Sequence, residues 1–174
     1  MKSILITGSH GVGKSSFLFH LASLLKQKHR TYNIEIIQEN VREIKKQIGS
    51  LNTPEFQMAS INDYLLKEAI KGQVADIIIS DRGAYDVVIY GDYFGTPVKG
   101  ALRDLAIEQL KRFDQVYFIR PDKQHYLADD GFRMTSLKQM REIDAQFEEQ
   151  LAIQGVKPIE LKTSEIFQYD VKAS

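Results

Sequence analysis

The sequence contains no cysteine, and this absence excludes several kinds of site at once. Disulfide bonds, zinc sites with thiolate ligands and cysteine nucleophiles all require that side chain. An excess of charge of one sign is also lacking, because 23 lysine and arginine residues balance 23 aspartate and glutamate residues. A chain with zero net charge has no overall field that attracts nucleic acid or an anionic membrane. We therefore predict neither a nucleic-acid partner nor a membrane partner.

Long apolar runs are lacking as well. No stretch approaches the roughly 18 apolar residues that span a bilayer, and the first residues lead directly into a predicted strand without a charged-then-apolar leader. We expect a cytoplasmic protein. Its 174 residues suffice for one domain with a sizeable core, so we predict a single domain over residues 1–174.

The most informative stretch is a glycine-rich segment near the N terminus. Residues 8–15 fit the pattern glycine, any four residues, glycine-lysine-serine, which is the Walker A motif. An apolar, partly β-branched run at residues 3–7 predicts a buried strand before the motif. Apolar residues at helical spacing after it predict a helix that begins at Ser15. The residues that we assign to nucleotide binding are Gly8, Ser9, His10, Gly11, Val12, Gly13, Lys14, Ser15 and Ser16.

This motif binds phosphate mainly through its backbone. Glycines lack Cβ, so the loop can adopt positive φ angles and direct successive N–H groups inward. The positive end of the following helix adds to the attraction for a polyphosphate. We expect Lys14 to reach the β- and γ-phosphates and the Ser15 hydroxyl to ligate Mg²⁺. The alternative is a chance match in a loop that only joins a strand to a helix, but the flanking elements favour nucleoside triphosphate binding.

Strands and helices alternate along the rest of the chain. Apolar runs predict strands at residues 34–37, 77–79, 116–119 and 156–161, with helices between them, one of which begins after Thr53. This alternation indicates an α/β domain with a mostly parallel, five-stranded sheet. Ligands of such sheets bind beyond the carboxyl ends of the strands. We therefore expect the residues that follow each strand to share one cleft.

Asp81 and Arg82 follow the third predicted strand. Asp81 resembles a Walker B carboxylate, which can hold Mg²⁺ or take a proton from an acceptor hydroxyl. Arg82 could neutralise phosphate or orient the acceptor. In the alternative interpretation, Asp81 only caps a helix that begins there. Tyr85 is near enough to Asp81 in the chain to touch an acceptor, so we include it in the predicted substrate site.

Two further segments extend the predicted cleft. Glu39 and Arg42 follow the second strand and would suit an acceptor with hydroxyl groups, where Glu39 would bind a sugar or act as the base. A solvated helix start with local ion pairs is an equal alternative. The polar stretch at residues 122–136 carries Arg133, which could close on the charge that develops during phosphoryl transfer. An ordinary polar loop would have a similar composition.

Taken in order, these motifs resemble one P-loop family. They are the Walker A loop, Glu39-x-x-Arg42-Glu43, the apolar strand that leads into Asp81, and Asp129-Asp130-Gly131-x-Arg133. The set is similar to the nucleoside/nucleotide-kinase-like ATPase family that includes the ribosylnicotinamide kinase domain of bifunctional NAD-biosynthesis regulators. In one respect it differs, because Asp81-Arg82-Gly83 looks more like the Asp-Arg pair of thymidylate kinases and related ATPases.

The resemblance implies a three-layer P-loop NTPase fold of the nucleoside monophosphate kinase type, with helices on both faces of the sheet. It also implies ATP and Mg²⁺ as cofactors, an acceptor site around Glu39, Arg42 and Asp81, and a lid at residues 121–137 that carries Arg133.

We therefore predict an ATP- and Mg²⁺-dependent phosphotransferase that acts on a nucleoside- or nucleotide-like small molecule. Lys14, Asp81 and Arg133 are the predicted catalytic residues, and Ser15 with Asp81 forms the predicted metal site. One alternative is a regulatory ATPase or GTPase that acts through a protein partner. A kinase of nucleic-acid ends is a weaker alternative, because the chain has no net positive charge.

Overall fold

The computed structural model describes residues 1–51, 53–122 and 137–170, and the side chain of residue 137 is not described. Within these residues one five-stranded sheet forms the centre of the molecule, with the strand order β2-β3-β1-β4-β5. All neighbouring strands are parallel, which confirms the predicted sheet. The strands are β1 (Lys2–Thr7), β2 (Ile34–Ile37), β3 (Ile77–Asp81), β4 (Gln115–Arg120) and β5 (Ile159–Lys162).

Six helices accompany the sheet in the described part of the chain. The third follows its local sequence closely, because the Thr53 hydroxyl accepts a hydrogen bond from the Phe56 N–H and Pro54 occupies the first helical position. The helices are α1 (Lys14–Lys28), α2 (Val41–Ile48), α3 (Pro54–Lys71), α4 (Ala84–Tyr93), α5 (Ala101–Arg112) and α6 (Leu137–Ile153), followed by a 3₁₀ turn at Thr163–Glu165. None of the described helices is long and apolar enough to cross a membrane.

Helices cover both faces of the sheet, and a separate apolar cluster fills each interface. Because side chains alternate along a strand, Ile4 and Ile6 of β1 face the cluster under α1, whereas Leu5 faces the cluster under α3 to α6. In β4, Phe118 packs in the cluster under α3 to α6, and Ile119 packs in the cluster under α1. This burial on both faces explains the continuous apolar strands. The result is the predicted three-layer α/β fold.

The register of the central strands brings their carboxyl ends to one level. Ile6 of β1 pairs with Asp81 of β3, and Ile37 of β2 pairs with Ser80 of β3. The segments that follow β1, β2 and β3 therefore emerge side by side at one edge of the sheet. This arrangement places the glycine-rich loop next to the two other charged segments that the sequence singled out.

Candidate nucleotide-binding site

The glycine-rich loop at residues 8–13 curls between β1 and α1 with three glycines at positive φ. Gly8 has a φ of 133°, and a Cβ added there would overlap the backbone carbonyl oxygen of Ile119 at the end of β4. Gly13 occupies the N-cap position of α1 with a φ of 88°. At Gly8 any side chain would collide with that carbonyl, and at Gly13 the positive φ would strain any other residue. The loop thus directs backbone N–H groups toward the open N terminus of α1, which suits an anion.

Lys14 is the first residue of α1, and its side chain is buried against the loop. The ammonium nitrogen donates a hydrogen bond to the carbonyl oxygen of Ser9 at 2.5 Å. Burial, followed by the nearby positive charge of Arg82, lowers the pKa of Lys14 from 10.5 to about 7. An anion in the loop would oppose both effects and favour the charged form. Phosphate binding would therefore increase the positive charge that this lysine carries near neutral pH.

Ser15 and Asp81 meet across the sheet edge, where the hydroxyl of Ser15 donates to Oδ2 of Asp81 at 2.5 Å. The other carboxylate oxygen of Asp81 is buried and has no hydrogen-bond partner among the described residues. A hydroxyl beside a carboxylate with one free oxygen matches the oxygen ligands that Mg²⁺ prefers. The residues present therefore fit the expected metal. Within the described ranges no group of three or more His, Cys, Asp or Glu side chains could hold a metal. A Mg²⁺ ion bound at Ser15 and Asp81 would take its other ligands from phosphate and water.

Asp81 does not act as a helix cap. It is the last residue of β3, and α4 begins three residues later with Gly83 at the N-cap position. The alternative interpretation of this carboxylate is therefore wrong. Its side chain points instead at the N terminus of α1, where the phosphate loop ends.

Arg82 is held in an unusual conformation between the two halves of the cleft. It has a φ of 67°, a value that costs a non-glycine residue about 1–3 kcal/mol and persists only when its surroundings enforce it. Its Nε donates to Glu39 at 2.9 Å, and one terminal nitrogen donates to Asp86 at 3.3 Å. The other terminal nitrogen donates to the Tyr90 hydroxyl at 3.2 Å, and the guanidinium carbon lies 4.9 Å from the centre of that ring. These contacts fix the guanidinium next to the phosphate loop, where Gly8 accepts a further bond through its carbonyl.

Sequence reasoning missed Asp86, whose carboxylate forms hydrogen bonds with the end of β1, the start of α4 and Arg82. This buried carboxylate accepts hydrogen bonds from the Thr7 hydroxyl at 2.8 Å and from the Gly83 backbone N–H at 3.0 Å, besides its contact with Arg82. Burial is the main cause that raises the pKa of Asp86, and the charge of Arg82 opposes it. The local sequence offered one signal for a role of Asp86, an acidic residue at the third position of a helix. Acidic residues are common at that position in ordinary helices, so the signal does not distinguish a site residue.

A cleft of about 700 Å³ joins the phosphate loop to a second region walled by α2, α3 and α4. Ten of the predicted site residues line it, namely His10, Gly11, Gly13, Lys14, Ser15, Ser16, Glu39, Arg42, Asp81 and Arg82. The side chains of Ser9 and Val12 face the protein interior instead.

The structure does not bring Tyr85 to this cleft. Its ring is buried on the opposite side of α4, where its hydroxyl donates to Gln150 on α6 at 2.9 Å and accepts from Gln154, just after α6, at 3.2 Å. Tyr85 was expected to touch an acceptor because it is near Asp81 in the chain, but Tyr90 is the tyrosine of α4 that lines the cleft, where its hydroxyl accepts from Arg82. Arg133 and nearly all of the predicted lid lie outside the described residues.

Comparison with known proteins agrees with this geometry. A family model described as an AAA domain matches residues 3–167, which is almost the whole chain. No curated protein matches the chain. Among solved structures, thymidylate kinase from Ehrlichia chaffeensis has a similar fold with a TM-score of 0.68, and the alignment covers 92% of this chain and 86% of that one. At 17% sequence identity, this likeness concerns the fold alone.

The glycine-rich loop, Lys14, Ser15 and the carboxylate at the end of β3 all lie within the range that the family model matches. The chain belongs to the AAA domain family, and its fold is similar to that of a thymidylate kinase.

Proposed function

We propose that the protein is an ATP- and Mg²⁺-dependent phosphotransferase that moves the γ-phosphoryl group to a nucleoside- or nucleotide-like small molecule. The observation that supports this most is the extent of the cleft. It continues past the phosphate loop into a second region, and Arg82 and Glu39 lie at the junction of the two. A protein that only hydrolysed ATP would not need this second region.

The donor half of the proposal rests on the loop and its lysine. The backbone N–H groups of residues 8–13 and the ammonium group of Lys14 would hold the triphosphate, which aligns the terminal phosphate with the second region. Ser15 and the free oxygen of Asp81 would hold Mg²⁺, which supplies charge neutralisation when bound. Positioning and electrostatics account for nearly all the catalysis in reactions of this kind.

The acceptor half rests on Glu39 and Arg82. Glu39 precedes α2 and reaches the cleft, where its carboxylate contacts the Arg82 guanidinium at 2.9 Å. In this proposal Glu39 accepts the proton of an acceptor hydroxyl while Arg82 stabilises charge on the transferred group. Arg42 on α2 lines the same region and would bind the acceptor. The role of Arg133 as a residue that closes over the transferred phosphoryl group stays a prediction.

An acceptor panel tests this proposal. Nucleosides and nucleoside monophosphates are incubated with ATP and Mg²⁺, and phosphorylated products are separated and quantified. We expect at least one acceptor to be phosphorylated, and Glu39→Gln to lower kcat by about 10²–10⁴-fold, the usual effect of removing a general base. Glu55→Gln is the matched control, because Glu55 is an exposed acid on α3 that does not line the cleft.

Failure of every acceptor, with slow hydrolysis that does not depend on an acceptor and is unchanged in Glu39→Gln, would contradict the proposal. That result would favour the regulatory ATPase or GTPase, whose bound nucleotide should then change its association with another macromolecule.

A further inference from the structure

The phosphate loop is contacted by a segment from the far end of the sequence, residues 163–169. This segment begins with the 3₁₀ turn that follows β5. The hydroxyl of Thr163 donates a hydrogen bond to the carbonyl oxygen of Val12 at 3.0 Å, and the carbonyl oxygen of Arg120 is a second acceptor at 3.2 Å. Ile166 is buried beside the loop, where its Cδ1 would lie 3.0 Å from a Cβ added to Gly13. The segment therefore packs on the outer side of the loop.

Contacts with α1 and β4 fix the position of this segment. The ring of Tyr169 meets the rings of Phe17 and Tyr117 edge to face, with centroids 5.5 and 5.6 Å apart. Its hydroxyl lies 2.8 Å from that of Tyr117, and its carbonyl oxygen accepts a hydrogen bond from the imidazole of His20 at 3.1 Å. Thr163 is therefore held between β5 on one side and this aromatic anchor on the other.

The contact with Thr163 determines which way one peptide group of the loop faces. A trans peptide group is planar, so its C=O and N–H bonds point in opposite directions. None of the described peptide bonds is cis. Because the carbonyl of Val12 points at Thr163, the N–H of Gly13 in the same peptide group must point away from it. Gly13 lines the cleft and Thr163 does not, so this N–H is directed to the side where phosphate would bind.

The Gly13 N–H is a donor that depends on this orientation. It donates to no group in the part of the chain that the structure describes, as is usual at the N-cap of a helix. Glycine also tolerates a wide range of φ, so the peptide group before Gly13 could turn over at little steric cost. A turned peptide group would present the Val12 carbonyl oxygen to a bound phosphate, and the two would repel. The Thr163 hydroxyl opposes this rotation because it bonds to that oxygen.

We propose that Thr163 is a positioning residue for nucleotide binding, whose hydroxyl holds the Val12 carbonyl and so directs the Gly13 N–H at a phosphate group of the nucleotide. This inference rests on the phosphate binding that the proposed function assigns to the loop. It does not depend on the acceptor. In this role Thr163 contacts no phosphate itself, and its effect passes through one peptide group.

Three variants of the segment test this role. Thr163→Val replaces the hydroxyl by a methyl group of similar size at a partly exposed position, so the variant should fold. Thr163→Ser keeps the hydroxyl. Ser164→Ala is the matched control, because it removes a neighbouring hydroxyl that donates to Asp122 at 2.5 Å and makes no contact with the loop.

Two measurements with ADP and Mg²⁺ separate positioning from a general structural effect. Titration calorimetry gives the affinity, and backbone amide NMR follows the Gly13 N–H, whose proton should shift downfield when it donates to phosphate. We expect Thr163→Val to weaken ADP binding by about three- to tenfold, as for the loss of one hydrogen bond, and to lose the downfield shift. Thr163→Ser and Ser164→Ala should keep both the affinity and the shift.

An unchanged affinity or an unchanged Gly13 shift in Thr163→Val would overturn the role of Thr163 and leave the proposed function intact. A loss that Thr163→Ser shares would also overturn it, because the hydroxyl would then not be the cause. If ADP binding responds as expected but no acceptor is phosphorylated, the phosphotransferase is contradicted and the role of Thr163 is supported. If the unaltered protein binds no ADP, both are contradicted.

Discussion

Asp144 on α6 allows a quantitative prediction about how stability depends on pH. Its side chain is 11% exposed and lies 3.4 Å from Arg120, which also pairs with Glu148 and Glu160. Burial is the largest cause that raises the pKa of Asp144 from 3.8 to about 6, and the charge of Arg120 opposes it. The folded protein therefore binds this proton more tightly than the unfolded chain does. Stability should fall as the pH rises from about 4 to about 6, and the full penalty is present above that range.

The size of the penalty follows from the two pKa values. A difference of about 2.2 pH units corresponds to about 3 kcal/mol at pH 7.5, and to about 1 kcal/mol at pH 4.5, where the folded carboxyl group is still almost fully protonated. Asp144→Asn removes the titration but keeps an oxygen for Arg120. The stability of this variant relative to the unaltered protein should thus increase by about 2 kcal/mol between pH 4.5 and pH 7.5, whatever fixed offset the new amide introduces.

Urea denaturation at the two pH values measures this change. With a slope of about 2 kcal/mol per molar urea, the midpoint difference between variant and unaltered protein should grow by about 1 M. Glu149→Gln, at an exposed position on the same helix, should change stability by less than about 0.5 kcal/mol at both pH values. A midpoint difference for Asp144→Asn that does not change with pH would refute the reasoning, because it would show that burial does not perturb this carboxyl group.

Two substitutions test the frame of the site. Asp86→Ala leaves a buried arginine without one of its two carboxylates and should lower the free energy of unfolding by about 3–5 kcal/mol in denaturation experiments. Asp92→Ala breaks a partly exposed ion pair on the same helix and should lower it by about 1 kcal/mol or less. Equal losses of stability in the two variants would contradict the role of the buried pair. Gly8→Ala should abolish binding of a fluorescent ATP analogue, because its Cβ would overlap the Ile119 carbonyl. Gly95→Ala, at a φ of 73° in open space, should lower stability by only about 1 kcal/mol and leave binding intact. Normal binding by Gly8→Ala would show that the loop tolerates a side chain.

The fold could be predicted because its determinants are local and periodic. β3 is a run of isoleucines buried on both faces, and the start of α3 is specified by Thr53 and Pro54 within three residues. The phosphate loop was predictable for the same reason, since its glycines and Lys14 act through the backbone of one short segment.

The rest of the site depends on pairs far apart in the chain. Asp86 accepts from Thr7, 79 positions away, and no spacing rule connects the two. The burial of Tyr85, unlike that of Asp86, can be read from helical periodicity. Tyr85, Val88 and Ile89 form the buried stripe of α4, so helical periodicity places Tyr85 in the core, whereas Tyr90 falls on the face that meets Arg82. Nearness in sequence to Asp81 was the weaker guide.

The central claim is that the loop at residues 8–15 binds the phosphates of a nucleoside triphosphate. Titration calorimetry with ATP and Mg²⁺ tests it most directly, with Lys14→Ala as the perturbation and Lys28→Ala, at the other end of α1, as the matched control. We predict measurable heat of binding for the unaltered protein and for Lys28→Ala, and at least a tenfold loss of affinity for Lys14→Ala, which corresponds to about 1.4 kcal/mol. No heat with ATP or GTP, or an affinity that Lys14→Ala leaves unchanged, would contradict the account.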